Sequence, residues 1–380
     1  MMQWVAGLVS IAIFLAGCGA TGEVSAGGGG ASVQGRGSLT MPVPRAAHSA
    51  VALEDGRVLL IGGCVADSCE GGPASGTVDI FDPRTGTIER SGTLAMRRVS
   101  TTAVRLASGQ VLIAGGWVGA TVSPAVELYD PATGTSRQVG SLSEARADIA
   151  AVTLADGRVL LAGGFADGAA RGRIDIFDPA TGTIAPAGDL VVPRAGAGAA
   201  LLRDGRVLLV AGGTNGPGGL APTESAEIFD PSTGQSAPTG SLAHARYKHA
   251  TVGLEDGRVV VMGGSDRRDG RGKLTSIEMF DPASGSFSPA GNLLEARYKI
   301  SGAVVPLPRN RILVAGGGLR AELYDVATAQ SVAVGPDLGL RLNFATASLL
   351  PDGSVLLAGG YDENGIRMSD RAWLIRPDQG

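Results

Sequence analysis

The chain has 380 residues, a formal net charge of −4, 44% hydrophobic residues and only 4% aromatic ones, with 60 glycines and 20 prolines. The mildly acidic balance argues against a general nucleic-acid binder, and so few rings mean a core of Val, Leu, Ile and Ala. Glycine and proline recur at fixed positions, which excludes a disordered chain of biased composition and calls for many turns.

In chain order, the first eighteen residues stand apart. Trp4 to Ala16 is an uncharged apolar run, too short for a comfortable membrane span and of the length of a signal h-region. It ends in Leu15-Ala16-Gly17-Cys18, which resembles the lipobox of bacterial lipoproteins. That resemblance implies cleavage before Cys18 and acylation there, hence a membrane-held place in the cell envelope. Gly19 leans toward the outer membrane in a Gram-negative cell. The run departs from the pattern in having no Lys or Arg before it. Residues 19–31 are rich in Gly and Ser and nearly uncharged, as expected of a flexible tether.

Residues 32–380 repeat. Seven apolar runs end in Gly-Gly, at Gly62-Gly63, Gly115-Gly116, Gly163-Gly164, Gly212-Gly213, Gly263-Gly264, Gly316-Gly317 and Gly359-Gly360. Each is answered by an aromatic residue: Phe81, Tyr129, Phe177, Phe229, Phe280, Tyr324 and Trp373. A period of roughly fifty residues signals a repeat architecture.

In the fourth repeat, small residues Ala195 to Leu202 are followed by the turn Asp204-Gly205, the apolar run Val207 to Ala211, then Ala226 to Phe229 and the turn Asp230 to Gly234. Such short segments bounded by Gly, Asp and Pro are strands and hairpins, and no 3.6-residue period is sustained. The Asp-Gly steps suit two-residue hairpins, where positive φ is needed. Four antiparallel strands per repeat, with small residues on the innermost strand, predict an all-β, seven-bladed β-propeller. The last copy lacks a fourth strand, which residues 32–44 would supply; six blades plus a cap is the alternative.

Arg45 to Ser49 (Arg-x-x-His-Ser), the strands ending in Gly-Gly and the segments Asp79 to Asp82, Glu127 to Asp130 and Glu227 to Asp230 together resemble kelch repeats. Where that family carries an outer-strand Trp, this chain has Ile88, Ile184, Phe287 and Val332. Galactose oxidase is similar in its propeller, but its set of two Tyr, two His and a Cys cross-link cannot be matched here, so no copper or other cofactor is expected.

Candidate site residues follow from the repeat. One arginine per copy, Arg45, Arg98, Arg146, Arg194, Arg246, Arg297 and Arg341, precedes its Gly-Gly by seventeen to nineteen residues. These fall at the start of the first strand, on the face that carries the variable second-to-third loops, where specificity resides. The ring could hold an anionic ligand, or it could be consumed by the third-strand acids Asp79, Glu127, Asp175, Glu227, Glu278 and Glu322. In the seventh copy Arg371 stands at the place expected for the acid. Tyr247-Lys248 and Tyr298-Lys299 stand beside the ring and could line its mouth. His48 and His249 read as structural, and without partners they cannot form a metal site. Cys64 and Cys69 are expected to be a disulfide in a surface loop. No hydrolase elbow, phosphate loop or metalloprotease motif occurs.

The expected function is therefore a lipid-anchored, extracytoplasmic, monomeric kelch propeller, not an enzyme, that binds a protein or glycan partner at its loop face. The alternative is an enzyme acting on sugar acids, similar to bacterial kelch mutarotases of sialic acid.

Overall fold

Seven four-stranded antiparallel sheets are arranged as a β-propeller in the computed structural model, which describes residues 38–66, 73–267, 271–362 and 367–377. Cys18, the tether and Cys69 lie outside the described residues. The first blade shows the pattern: Ser49–Ala52 innermost, then Val58–Ile61, Thr77–Asp82 and Thr87–Thr93 outermost. The innermost strands are neighbours all the way round, with Ser49–Ala52 flanked by Thr102–Arg105 of the second blade and Thr346–Leu349 of the seventh. The seventh blade is completed by Ser38–Thr40, whose Ser38 pairs with Trp373, so the N-terminal piece supplies the outermost strand and covers the edge of Arg371–Ile375. The expected fourth strand from the N-terminal piece is thus a three-residue strand.

The second strands explain their unbroken apolar runs. Val58–Ile61, Val111–Ala114, Val159–Ala162, Val207–Val210, Val259–Met262 and Val355–Ala358 are buried at every residue, because neighbouring blades cover both faces. A half-exposed strand would alternate instead. The core is accordingly divided into apolar clusters between adjacent blades, such as Val51, Leu59 and Ile61 of the first against Val111, Ile113 and Tyr129 of the second.

Gly-Gly has a specific task. Gly62 and Gly63 have φ of 63° and 96°, and a Cβ on Gly62 would lie 2.7 Å from the Arg98 carbonyl oxygen. The Gly63 amide donates to that carbonyl at 3.0 Å, linking the first blade to the second. The same bond recurs from Gly116 to Arg146, Gly164 to Arg194, Gly212 to Arg246, Gly264 to Arg297, Gly317 to Leu342 and Gly360 back to Arg45. In the fourth blade the pair doing this is Ala211-Gly212, not Gly212-Gly213 as the sequence suggests; Ala211 takes φ of 58°. The Asp-Gly turns also differ from expectation. In Glu54-Asp55-Gly56 only the glycine is left-handed, closed by Leu53 N to Arg57 O at 2.7 Å, which makes a three-residue loop.

Candidate functional site

Six of the seven arginines do not face the channel mouth. Arg45, Arg98, Arg146, Arg194, Arg246 and Arg297 are 0% exposed. Each is paired with its own blade's acid: Arg45 with Asp79, Arg98 with Glu127, Arg146 with Asp175 at 2.6 Å, Arg194 with Glu227 at 2.7 Å, Arg246 with Glu278 at 2.5 Å and Arg297 with Glu322 at 2.7 Å. Burial lowers the pKa of Arg45, Arg98, Arg146, Arg194 and Arg246, the acid beside each opposes that, and the guanidinium stays charged. The acids also hold the chain before the arginine: Glu227 accepts from the Val191 amide at 2.6 Å and Glu322 from the Leu294 amide at 2.6 Å. In the first three blades the outermost strand carries a bulge opposite the acid, an extra residue on that strand's side of the pairing. These pairs are strand-to-strand clamps: of the two roles the sequence left open, six arginines take the pairing with third-strand acids, and as ligand-contact candidates these six are corrected.

The seventh arginine is not in the series at all. The Gly317 bond to Leu342 makes Leu342 the structural counterpart of the other six, and the register Leu357–Trp373 puts Trp373 where Leu60–Asp79 puts the acid. Leu342 and Trp373 lie in one apolar cluster, so the seventh blade replaces the buried charge pair with a hydrophobic one. Arg341 is half-buried and paired with Glu295, and Arg371 is exposed at the strand end.

What faces the axis is the residue two places after each clamp position. Ala47, Ser100, Asp148, Gly196, Lys248, Lys299 and Phe344 all have φ between 50° and 59°. Their backbones are joined round the axis, with Ser100 N on Ala47 O at 3.0 Å, Gly196 N on Asp148 O at 2.9 Å, Lys299 N on Lys248 O at 3.0 Å, Phe344 N on Lys299 O at 3.0 Å and Ala47 N on Phe344 O at 3.2 Å. Glycine suits this conformation best, as in the fourth blade. Any Cβ there costs roughly 1–2 kcal/mol, so the six other residues, Asp148, Lys248, Lys299 and Phe344 among them, occupy it at the expense of stability.

The belt surrounds a cavity of about 320 Å³ at the axis, lined by Asp148, Tyr247, Lys248 and Phe344 and by Ser49, Ser100, Thr101, Thr102, Ser301 and Thr346. Lys248 Nζ sits 4.6 Å from the Tyr247 ring centre, 5.1 Å from Phe344 and 5.7 Å from Tyr298. Lys299 Nζ is 5.1 Å from each of Tyr298, Phe344 and Tyr361, and donates to the Tyr361 hydroxyl. Two ammonium groups therefore share the faces of two rings, each contact favourable through the ring quadrupole. Asp148 comes from the third blade; burial raises its carboxyl pKa, and Lys248 and a bond to Ser100 oppose that.

The repeat is broken at this same place. The sixth blade has two extra residues between Arg297 and Gly316, ahead of its inner strand Val304–Leu307, where a turn with Ala303 N on Ile300 O at 2.9 Å brings exposed Ser301 and Gly302 into the cavity wall. The second-to-third loops of blades two to four carry two-stranded arms, at Trp117–Val118 with Thr121–Val122, Phe165–Ala166 with Ala169–Ala170, and Gly213–Gly216 with Gly219–Pro222. Trp117 leans on Phe165 at 6.0 Å, and Asn215 bonds both the amide and the carbonyl of Ala170. The sixth blade has no such arm: its strand Ala321–Asp325 begins soon after Gly318. The rim is thus high on one side and low beside Lys299.

Tyr247 and Tyr298, both expected at the mouth, are brought together with ring centres 6.1 Å apart; Tyr247 lines the cavity and Tyr298 is buried behind it. Asp148, Phe344, Tyr361 and the Ser301-Gly302 insertion were not anticipated. The signal available for them was the nineteen-residue spacing from Arg297 to Gly316, longer than any other. His48 bonds Thr346 of the seventh blade at 2.8 Å, and His249 lies against Gly198 of the fourth. Burial lowers both imidazoles to about 3. Cys64 is buried, and its thiol donates to the Ala66 carbonyl at 3.2 Å.

No protein-family model matches the chain, and no curated protein does. Among solved structures it is similar to a fungal alcohol oxidase of the AA5 family, determined in complex with copper, with a TM-score of 0.73 and 17% identity over 90% of this chain and 75% of that one. At that identity the likeness shows the fold alone. A copper centre does not fit the residues present. The two inner-strand histidines sit in blades one and five, each turned to a different neighbouring blade, and among the described residues no group of three His, Cys, Asp or Glu could hold a metal.

Proposed function

We propose that this protein is a kelch-type propeller of the bacterial cell envelope, anchored by lipid at Cys18 and free of nucleic-acid partners, which binds a glycan or protein at its loop face. One observation supports this above the others. The axial cavity is where the sevenfold pattern is broken, by an inner-strand insertion and by charged and aromatic residues placed in a costly backbone conformation. Departures of that kind from local preference concentrate at sites of function. Aromatic faces beside hydroxyls and charges suit a carbohydrate, which presents apolar C–H faces and polar edges.

The test is a glycan array and a screen of envelope proteins with the full chain, beside a variant with Lys248 and Lys299 both replaced by Met. Saturable binding lost in the variant supports the reading, and no saturable ligand on either screen overturns it. Palmitate incorporation abolished by Cys18→Ala supports the anchor; incorporation unchanged removes it. A second reading, an enzyme on sugar acids, is favoured by one observation: a carboxyl of raised pKa, Asp148, interacts with Lys248 in the cavity. Catalysed interconversion of sugar-acid anomers, followed by NMR and lost in Asp148→Asn, would distinguish it from binding alone.

A further inference from the structure

The chain has three Trp, five Tyr and eight Phe. Trp4 and Phe14 belong to the N-terminal run, seven answer the Gly-Gly pairs inside the blades, and Phe287 lies on the fifth blade's outer strand. Each of the remaining six, Trp117, Phe165, Tyr247, Tyr298, Phe344 and Tyr361, stands in the belt, next to it, or directly after a Gly-Gly on the loop face. They fall into two sets. Among the described residues every cation–ring contact is made to Tyr247, Tyr298, Phe344 or Tyr361, which share the two ammonium groups. Trp117 and Phe165 take no part in this; they are half-buried, with ring centres 6.0 Å apart and planes at 45°.

Their backbones pair with Val99 and Ala147, each one residue before a belt residue that lines the cavity, Ser100 and Asp148. In the seventh blade the same position holds Tyr361, whose ring lies 6.1 Å from that of the belt residue Phe344. The wall that Trp117 and Phe165 belong to is uncharged. Residues 117–122 and 213–222 carry no charge, and in 165–170 the one acid, Asp167, is paired with Arg171 at 2.7 Å. The fifth blade's loop, by contrast, holds six charges from Asp266 to Lys273. The arm with Phe165 is also held in place: Phe165 pairs with Ala170, whose amide and carbonyl both bond Asn215 of the next arm. A cavity of about 320 Å³ is at the small end for an organic ligand, so a glycan chain has to continue outside it.

We propose that Trp117 and Phe165 form a second subsite, outside the axial cavity, on which one unit of a neutral oligosaccharide lays the apolar C–H face of its ring while the chain's end occupies the cavity beside Asp148. The inference rests on the glycan reading above and deepens it to an uncharged chain of two or more units. Two rings offer a large apolar area at little cost in side-chain order, and the uncharged wall gives a charged chain nothing to pair with.

The test is calorimetric titration of the full chain with cellotetraose, chitotetraose and mannotetraose, each beside its monosaccharide, with iodide quenching of tryptophan fluorescence followed in parallel. At least one tetrasaccharide should bind about tenfold tighter than its monosaccharide and shield tryptophan from iodide, an effect absent in Trp117→Phe. Trp117→Ala and Phe165→Ala should each weaken the tetrasaccharide about tenfold, the loss of roughly 60 Å² of apolar contact, and leave the monosaccharide unmoved. Trp117→Phe and Phe165→Tyr, which keep a ring, should retain most of the affinity, and unchanged circular dichroism and melting show that the variants fold. Tetrasaccharide binding that both Ala variants leave unchanged, or that is no tighter than the monosaccharide, overturns the inference and leaves the glycan reading intact. If none of the three binds, the inference falls, and the glycan reading stands or falls with the array.

Discussion

Glu227→Ala should be among the most damaging single changes in this chain. Arg194 is 0% exposed, and its guanidinium donates to Glu227 at 2.7 and 3.2 Å, to the Ala211 and Ser225 carbonyls at 2.9 Å each, and to Ser225 Oγ at 3.2 Å. Removing the carboxylate leaves a buried cation uncompensated, which costs about 3–5 kcal/mol. It also strands the Val191 and Val192 amides, which Glu227 accepts at 2.6 and 3.3 Å, at about 1–3 kcal/mol each if water stays out. We expect a loss of at least about 4 kcal/mol after relaxation. The assay is guanidinium unfolding followed by tryptophan fluorescence, with slopes compared so that a midpoint shift reads as stability. The seventh blade already shows an apolar pair in this place, so Arg194→Met with Glu227→Leu should cost less than Glu227→Ala alone. A loss below about 1 kcal/mol for Glu227→Ala, or a double variant equal to the sum of the singles, would refute the clamp.

The converse experiment is in the seventh blade. Leu342→Arg buries an unpaired cation beside Trp373 and should cost at least about 3 kcal/mol; adding Trp373→Glu should recover about 2 kcal/mol through coupling, read in the same unfolding assay. Acid should destabilise the propeller partly through its imidazoles. His48 and His249 are held near 3 in the folded chain, so only the unfolded chain binds protons as the pH falls below 6.5, and stability is lost there. Each imidazole contributes about 1.4 kcal/mol per pH unit, and His249→Leu should remove its share of the slope between pH 6 and pH 4 measured by denaturant titration. An unchanged slope would show that His249 is protonated in the fold.

Much of this architecture is legible because propeller geometry writes itself into residue types. Strands covered on both faces read as runs such as Val58–Ile61, and blade-to-blade amide bonds at positive φ read as Gly-Gly. The arginine series and its partner acids are legible for the same reason, yet which of the two roles the arginines play is not, since it depends on how the first-strand entry and the third strand meet in the folded blade. The small irregularities in spacing carried more than the regularity. The eighteen residues from Arg194 to Gly212 reflect Ala211 in the first glycine's role, and the eighteen from Arg341 to Gly359 reflect that Leu342 holds the clamp position. The nineteen from Arg297 to Gly316 record the insertion at the axial cavity. Asp148, Phe344 and Tyr361 share no motif. They come near one axis only because belt positions of the third and seventh blades, and a loop of the seventh, converge there.

With three lysines in the chain, the axial site can be tested directly by amine acetylation and mass spectrometry of the full protein, with and without a saturating glycan taken from the array. Lys248 and Lys299 should be protected together while Lys273, on the fifth blade's loop side, reacts as before. Unchanged labelling of Lys248 and Lys299, or equal protection of all three, would contradict a ligand site at the axis.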